Sequence, residues 1–152
     1  MNLPLNIDYT GTVTEWMALL QQNSKTYRPL DEYIVRCIDG VALPSGKCGE
    51  NLTWILNEAG TLTISGTGDM FSYYGDSAPW RMRTKKVVIS EGVTSIGEYA
   101  FYDCSEISSV KIPDSVKSIG DRAFEFCPNL KKVIIPDSVT AIGRYAFHRC
   151  TN

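Results

Sequence analysis

The sequence lacks most features that mark an enzyme or a membrane protein. Its 152 residues include a single histidine, His148, and no G-x-S-x-G motif accompanies it, so no Ser–His triad is indicated. Its 15 Lys+Arg and 17 Asp+Glu give a net charge of −2, too balanced to attract nucleic acid or an anionic membrane in bulk. No apolar run approaches the length of a membrane span, and the start, MNLPLNIDYTG, lacks a secretory-signal pattern. We therefore expect a soluble, non-enzymatic chain without a cofactor or metal.

Cysteine is also sparse, and its number is odd. Five cysteines in 152 residues is too few for a disulfide scaffold. No CxxC motif or Cys/His pairing accompanies Cys104, Cys127 and Cys150. These three are therefore predicted to be buried thiols that pack as small hydrophobic groups. Cys37 and Cys48 form the one pair considered for a disulfide, and the sequence leaves their redox state open.

What the sequence does contain is a threefold repeat: IGEYAFYDC, IGDRAFEFC and IGRYAFHRC. The cysteines that end these phrases lie 23 residues apart, and seven upstream positions keep the same offset. In the middle unit these positions are Val110, Ile112, Val116, Ile119, Gly120, Ala123 and Phe124. A unit of this length cannot bury its own apolar residues, so neighbouring units must stack as the coils of a solenoid.

Each unit has a readable local pattern. Val110 and Ile112 alternate with polar residues, which predicts a short strand with one buried face, and Pro113 ends it. Gly120 is predicted to form a bend that uses positive φ, and DRAFEFC is predicted to form one helix-like turn.

The first half of the chain differs from the repeats. A capping box at Thr12–Glu15 and apolar residues at helical spacing predict a helix at 12–22, with strands in NIDY and EYIVRCIDGVAL on either side. LPSGKCGE is linker-like. LTWIL and TLTIS flank the turn NEAG and predict a β-hairpin that covers the first coil, followed by a long aromatic loop up to Trp80.

The repeat phrases SVKIPDSVKSIGDRAFEFC and KVIIPDSVTAIGRYAFHRC resemble the BspA-type leucine-rich repeat, a 23-residue variety found in many bacterial cell-surface proteins. The resemblance implies an α+β solenoid of three coils with an N-terminal hairpin cap and a preceding strand–helix–strand unit. The corresponding domains are residues 1–47, 48–85 and 86–152. It also implies an extracellular or surface-attached protein.

The exposed strand face is the expected binding surface of such a solenoid. Its candidate residues are Lys86, Val88, Ser109, Lys111, Lys132 and Ile134. The expected function is recognition of a protein or other surface ligand, plausibly in adhesion. The alternatives are a structural spacer or a carbohydrate-binding module with Trp54, Trp80, Tyr73 and Tyr74 as an exposed platform.

Two further expectations concern acidic residues and the last coil. Glu91, Asp114 and Asp137 recur at the repeat period, as ligands for calcium or as acceptors for the amides of their own turns. The third coil is expected to lack a neighbour within the chain. We therefore expect a possible homodimer through this coil, with two-fold, end-to-end pairing.

Overall fold

The computed structural model describes the backbone of residues 5–8, 33–37, 40–42, 45–75 and 77–150, and the side chains of 45–75 and 77–150. The chain divides into two compact units, Met1–Pro44 and Ser45–Asn152. The helix predicted at 12–22 lies outside the described residues.

The first unit contains a three-stranded sheet. Its strands are β1 (Leu5–Asp8), β2 (Tyr33–Cys37) and β3 (Gly40–Ala42), in the order β1-β2-β3. β1 pairs with β2 in parallel, and β2 pairs with β3 antiparallel, so that Cys37 lies opposite Gly40. The strands predicted in this part of the sequence are confirmed.

The second unit is a β-solenoid. Its strands are β4 (Ser45–Lys47), β5 (Asn51–Leu56), β6 (Thr61–Asp69), β7 (Lys86–Ile89), β8 (Val93–Ile96), β9 (Ser109–Lys111), β10 (Ser118–Ile119), β11 (Val133–Ile134) and β12 (Ala141–Ile142). One side of the solenoid has the strand order β4-β5-β6-β7-β9-β11, and the return side has the order β6-β8-β10-β12. The linker predicted at 43–50 is wrong in part, because Ser45–Lys47 forms β4 and pairs with β5.

Strand β6 belongs to both sides of the solenoid. Its residues Thr61–Ile64 pair in parallel with β7, while Gly68 and Asp69 pair with β8 after a register shift. β6 therefore acts as a turn of the solenoid that precedes the three 23-residue coils. Its other edge pairs antiparallel with β5, as the NEAG turn predicts.

The third side of each coil is a series of turns rather than the helix-like turn that was predicted. Along residues 97–104 the backbone N–H groups alternate: that of Tyr102 donates to Tyr99 in the same coil, while that of Phe101 donates to Ala123 in the next. A helix would direct all of these donors along its own axis. Non-glycine residues with positive φ recur here at Tyr99, Asp103, Arg122, Phe126, Tyr145 and Arg149. No described residue is helical, so the α+β class is corrected to a β-solenoid.

Gly120 is required for a reason other than the one predicted. It does not adopt a positive φ. A Cβ at this position would lie 2.6 Å from the backbone nitrogen of Glu98 in the preceding coil. The repeated glycine therefore permits close approach of two coil backbones, which a side chain would prevent.

An aromatic column runs through the core. The rings of Trp54 and Trp80 meet edge to face at 5.5 Å, and Trp80 lies 5.9 Å from Phe101. Phe101, Phe124 and Phe147 then stack coil upon coil. The repeat positions predicted to face inward are buried in the first two coils. In the third coil the equivalent Ile142 is 52% exposed, because no described coil covers it.

Candidate functional site

The predicted strand-face residues lie together on the outer surface of the solenoid. Lys86, Ser109, Lys111, Lys132 and Ile134 are exposed, and Val88 is half-buried. They alternate with Val87, Val110 and Val133, which point inward. The two-residue period of a β-strand therefore positions all six candidates.

Strand pairing arranges these side chains in rows across the sheet. One row consists of Ser45, Ile55, Thr63, Val88, Lys111 and Ile134, each directly opposite the next on the neighbouring strand. A second row joins Thr61, Lys86 and Ser109. Lys132 takes the equivalent place in the third coil, 23 residues after Ser109. The result is a continuous face over six strands on which lysines and β-branched side chains are interleaved.

The turn side carries a second cluster that the sequence analysis did not identify. Arg122 Nη1 lies 2.9 Å from Glu125 Oε2, and His148 Nδ1 lies 2.8 Å from Glu125 Oε1. Glu125 is only 3% exposed, so its carboxylate depends on these two partners. The repeat register held the signal, since positions 102, 125 and 148 stack and place Glu125 beside His148.

Aromatic rings enclose Arg122. Its guanidinium carbon lies 5.8 Å from the ring centre of Tyr99 and 4.9 Å from that of Tyr145, within range of cation–π attraction. The hydrogen bond to Glu125, with smaller contributions from nearby charges, raises the pKa of the Arg122 guanidinium. The cluster therefore ties the second coil to its neighbours on both sides and leaves Arg122 already paired.

The aromatic platform expected for a carbohydrate-binding module is not formed. Trp80 is fully buried and donates its indole N–H to the carbonyl of Ala100 at 2.9 Å. Trp54 is also buried, and Tyr73 packs against Trp80, which leaves only Tyr74 prominently exposed. These rings serve the core, and the carbohydrate hypothesis based on them is wrong.

Serine hydroxyls, rather than the recurring carboxylates, make the bonds at the corner formed by the IPDSV phrases. Ser115 Oγ donates to the carbonyl of Val93 at 2.8 Å, and Ser138 Oγ donates to that of Val116 at 2.9 Å. Glu91, Asp114 and Asp137 are exposed. Among residues 45–75 and 77–150, no group of three or more His, Cys, Asp or Glu side chains is placed to hold a metal ion.

The repeat cysteines follow the interior of the coils. Cys104 and Cys127 are buried free thiols, and Cys150 in the last coil is half-buried. Cys127 Sγ donates to the carbonyl of Phe101 in the preceding coil at 3.1 Å, and Cys150 repeats this bond to Phe124. Burial raises the pKa of Cys127 to about 12. The burial predicted for these thiols is thus confirmed for the first two coils. Cys48 is a buried free thiol, and the side chain of Cys37 lies outside the described part.

A parallel β-solenoid built from 23-residue coils defines a leucine-rich-repeat module. A family model described as "BspA type Leucine rich repeat region (6 copies)" matches residues 75–152. The chain belongs to this family.

Solved leucine-rich-repeat structures are similar to this chain. A leucine-rich repeat protein from Eubacterium ventriosum is 34% identical with a TM-score of 0.64, over 68% of this chain and 29% of that one. A leucine rich cell surface protein from Faecalibacterium prausnitzii is 29% identical with a TM-score of 0.49, over 68% of this chain and 34% of that one. This chain thus spans about a third of the length of these two proteins. A comparison with curated protein sequences finds no match. Within the described residues, no helix has the length and apolar character needed to cross a bilayer.

Proposed function

We propose that this chain is a non-enzymatic binding module of a bacterial surface protein and that it recognises another protein through the strand face. The observation that carries the proposal is the six-strand outer face itself. Its inward positions are nearly constant between coils, whereas its outward positions differ: Lys86 and Val88 in the first coil, Ser109 and Lys111 in the second, Lys132 and Ile134 in the third. Packing explains the constant set, and the varied set is available for recognition.

Rigidity supports a binding role. Each strand of the face is held by a parallel neighbour and lies over the aromatic column of the core. A preorganised surface loses little conformational entropy on binding, so more of its contact energy appears as affinity. Shape complementarity over the sheet, with apolar contact at Ile134 and polar contact at the lysines, is the proposed mechanism.

The β5–β6 hairpin has a supporting role in this proposal, as the cap of the first coil. Leu62 and Ile64 of β6 are buried opposite Val87 and Ile89 of β7. Leu52, Trp54 and Leu56 of β5 are buried on the same side of the hairpin. Such a cap keeps the interior of the first coil out of water, which terminal units of repeat proteins generally must do.

Selection from a displayed peptide library tests the binding role. Peptides are selected on the wild-type chain and then measured against Lys86→Gln/Lys111→Gln, with Lys117→Gln on the return side as the matched control. We expect selected peptides to lose affinity for the double variant and to keep it for the control. If no selected peptide distinguishes the two variants, the face does not bind and the solenoid is a structural spacer.

Surface location forms part of the proposal and rests on membership of the BspA-type family. Antibodies against the folded chain should label intact cells of the source bacterium, and protease added outside should remove the label. Labelling only after the cells are opened would contradict a surface role.

A further inference from the structure

The strand face has one sign of charge. Four lysines project from it: Lys47, directly opposite Thr53, and the three candidate lysines of the coils, Lys86, Lys111 and Lys132. No outward-facing described residue of β4, β5, β7, β9, β11 or the Thr61–Ser65 part of β6 is Asp or Glu. The chain as a whole carries −2, so its positive charge is locally concentrated on this face.

The acidic residues lie on other sides of the solenoid. Glu91, Asp114 and Asp137 follow the strands at the IPDSV corner, and Asp121 and Glu125 lie on the turn side. Arginines there have acidic partners: Arg122 binds Glu125, and Arg81 lies 3.5 Å from Asp103. For the four lysines of the strand face, by contrast, the described side chains supply no ion pair. Their charges are not neutralised within the described part of the chain.

Three of the lysines surround Ser109. Lys86 is opposite Ser109 on the neighbouring strand, Lys132 holds the equivalent place in the next coil, and Lys111 is two residues along the same strand. Adjacent strands are about 4.8 Å apart, and residues two apart on one strand are separated by about 6.6 Å. The three ammonium groups can therefore reach one short segment of a partner that lies across the strands.

Apolar side chains border this cluster. Val88 and Ile134 lie on either side of Lys111 in the same row, and Ile134 is 69% exposed. A polyphosphate backbone offers nothing to these side chains, and the face has no arginine, the residue best suited to bidentate phosphate binding. A protein segment can supply carboxylates for the lysines and apolar side chains for Val88 and Ile134 together.

Building on the proposed function, we infer that the partner of the strand face is an acidic protein segment with apolar side chains between its carboxylates. Carboxylates contact the cluster around Ser109, and an apolar side chain packs on Ile134. Charge attraction between partly exposed groups contributes mainly to the rate of association and to selectivity, so binding weakens as salt is added.

A defined peptide tests this inference. The probe is a fluorescein-labelled 12-residue peptide of alternating Glu and Leu, with the matching Gln/Leu peptide as control, measured by fluorescence anisotropy at low and high salt. We expect salt-sensitive binding of the Glu peptide only, at least tenfold weaker for Lys86→Gln/Lys111→Gln/Lys132→Gln and severalfold weaker for Ile134→Ser. Lys117→Gln should match the wild type. Circular dichroism confirms that each variant is folded.

The outcomes separate this inference from the proposed function. If library-selected peptides bind the strand face but are neutral or basic, the face binds proteins and the acidic partner is wrong. If the Glu peptide binds equally well to the triple-lysine variant, it occupies another surface and the inference fails. Tighter and equally lysine-dependent binding of heparin or a DNA oligonucleotide would also overturn it, because the face would then select polyanions rather than protein carboxylates.

Discussion

The rings of Phe101 and Phe124 lie 4.9 Å apart and within 10° of parallel, and the rings of Phe124 and Phe147 repeat the arrangement at 5.3 Å and 3°. Equivalent positions of successive coils are thus in direct contact, so one residue type kept at the repeat period produces a continuous column. Phe124 is the central member, fully buried between two other rings. The cohesion of the solenoid depends on this contact more than on any single strand pair, since β10, β11 and β12 have only two residues each.

Replacing Phe124 by alanine should lower the free energy of unfolding by about 3–5 kcal/mol, because it removes a fully buried ring with neighbours on both faces. Phe147→Ala should have a smaller effect, since Phe147 is half-buried and has a ring on one face only. Urea denaturation measures both. Lys111→Ala is the exposed control and should change stability by less than about 0.5 kcal/mol. A Lys111→Ala effect larger than that of Phe124→Ala would invert the inside and outside of the coil.

Gly120→Ala should also be destabilising, by about 1–3 kcal/mol, because the added Cβ must displace the backbone at Glu98. Ser118→Ala, two residues earlier in the same coil, is the control and should be nearly neutral. Thermal melts followed by circular dichroism compare the two. Equal melting temperatures would show that the coils are not as closely packed here as the geometry requires.

The sequence predicted the strands of the coils because Val110 and Ile112 alternate with polar residues, and their partners recur at a fixed offset. It did not predict the turn side. A helix-like turn and a ladder of turns both place Ala123 and Phe124 inward, and they differ in where the backbone N–H of Phe101 points, which side-chain pattern does not report. The network around Glu125 was missed for a similar reason. It joins variable positions of different coils, and Tyr102, Glu125 and His148 were considered as alternatives at one position rather than as neighbours.

The repeat thiols should react at different rates. Cys104 and Cys127 are fully buried and burial raises the pKa of both, whereas Cys150 is half-buried. Because the thiolate is the reactive form, a chromogenic disulfide reagent should modify Cys150 first in native protein. Mass spectrometry of the labelled peptides identifies the order. Rapid native labelling of Cys104 would contradict the assignment of this position to the interior.

Stability should fall at high pH. Burial raises the pKa of Cys127 from its ordinary value of 9.0 to about 12, and it raises that of Cys48 to about 12 as well. Below pH 9 both thiols are protonated whether the chain is folded or unfolded, so they add no pH dependence. Between pH 9 and 12 the unfolded chain releases these protons and the folded chain retains them, which favours unfolding.

The expected loss for each fully protected thiol is about 1.4 kcal/mol per pH unit in this range. Urea titrations at pH 8, 9, 10 and 11 measure it, and Cys127→Ala should show a shallower decline than the wild type. Identical slopes would show that Cys127 is not protected from ionisation in the folded chain.

The Arg122–Glu125 pair should be coupled in a double-mutant cycle. Arg122→Ala leaves a nearly buried carboxylate with only His148 as a partner, and the loss of one hydrogen bond to a charged group is typically about 1.5–3 kcal/mol. Since the guanidinium is partly exposed, we expect about 1–2 kcal/mol. Glu125→Gln removes the charge but keeps the shape, so Arg122→Ala in that background should have a smaller effect. Arg144→Ala, on an exposed neighbouring position of the third coil, is the control. Additive effects of Arg122→Ala and Glu125→Gln would show that the contact between these two side chains does not stabilise the junction of the coils.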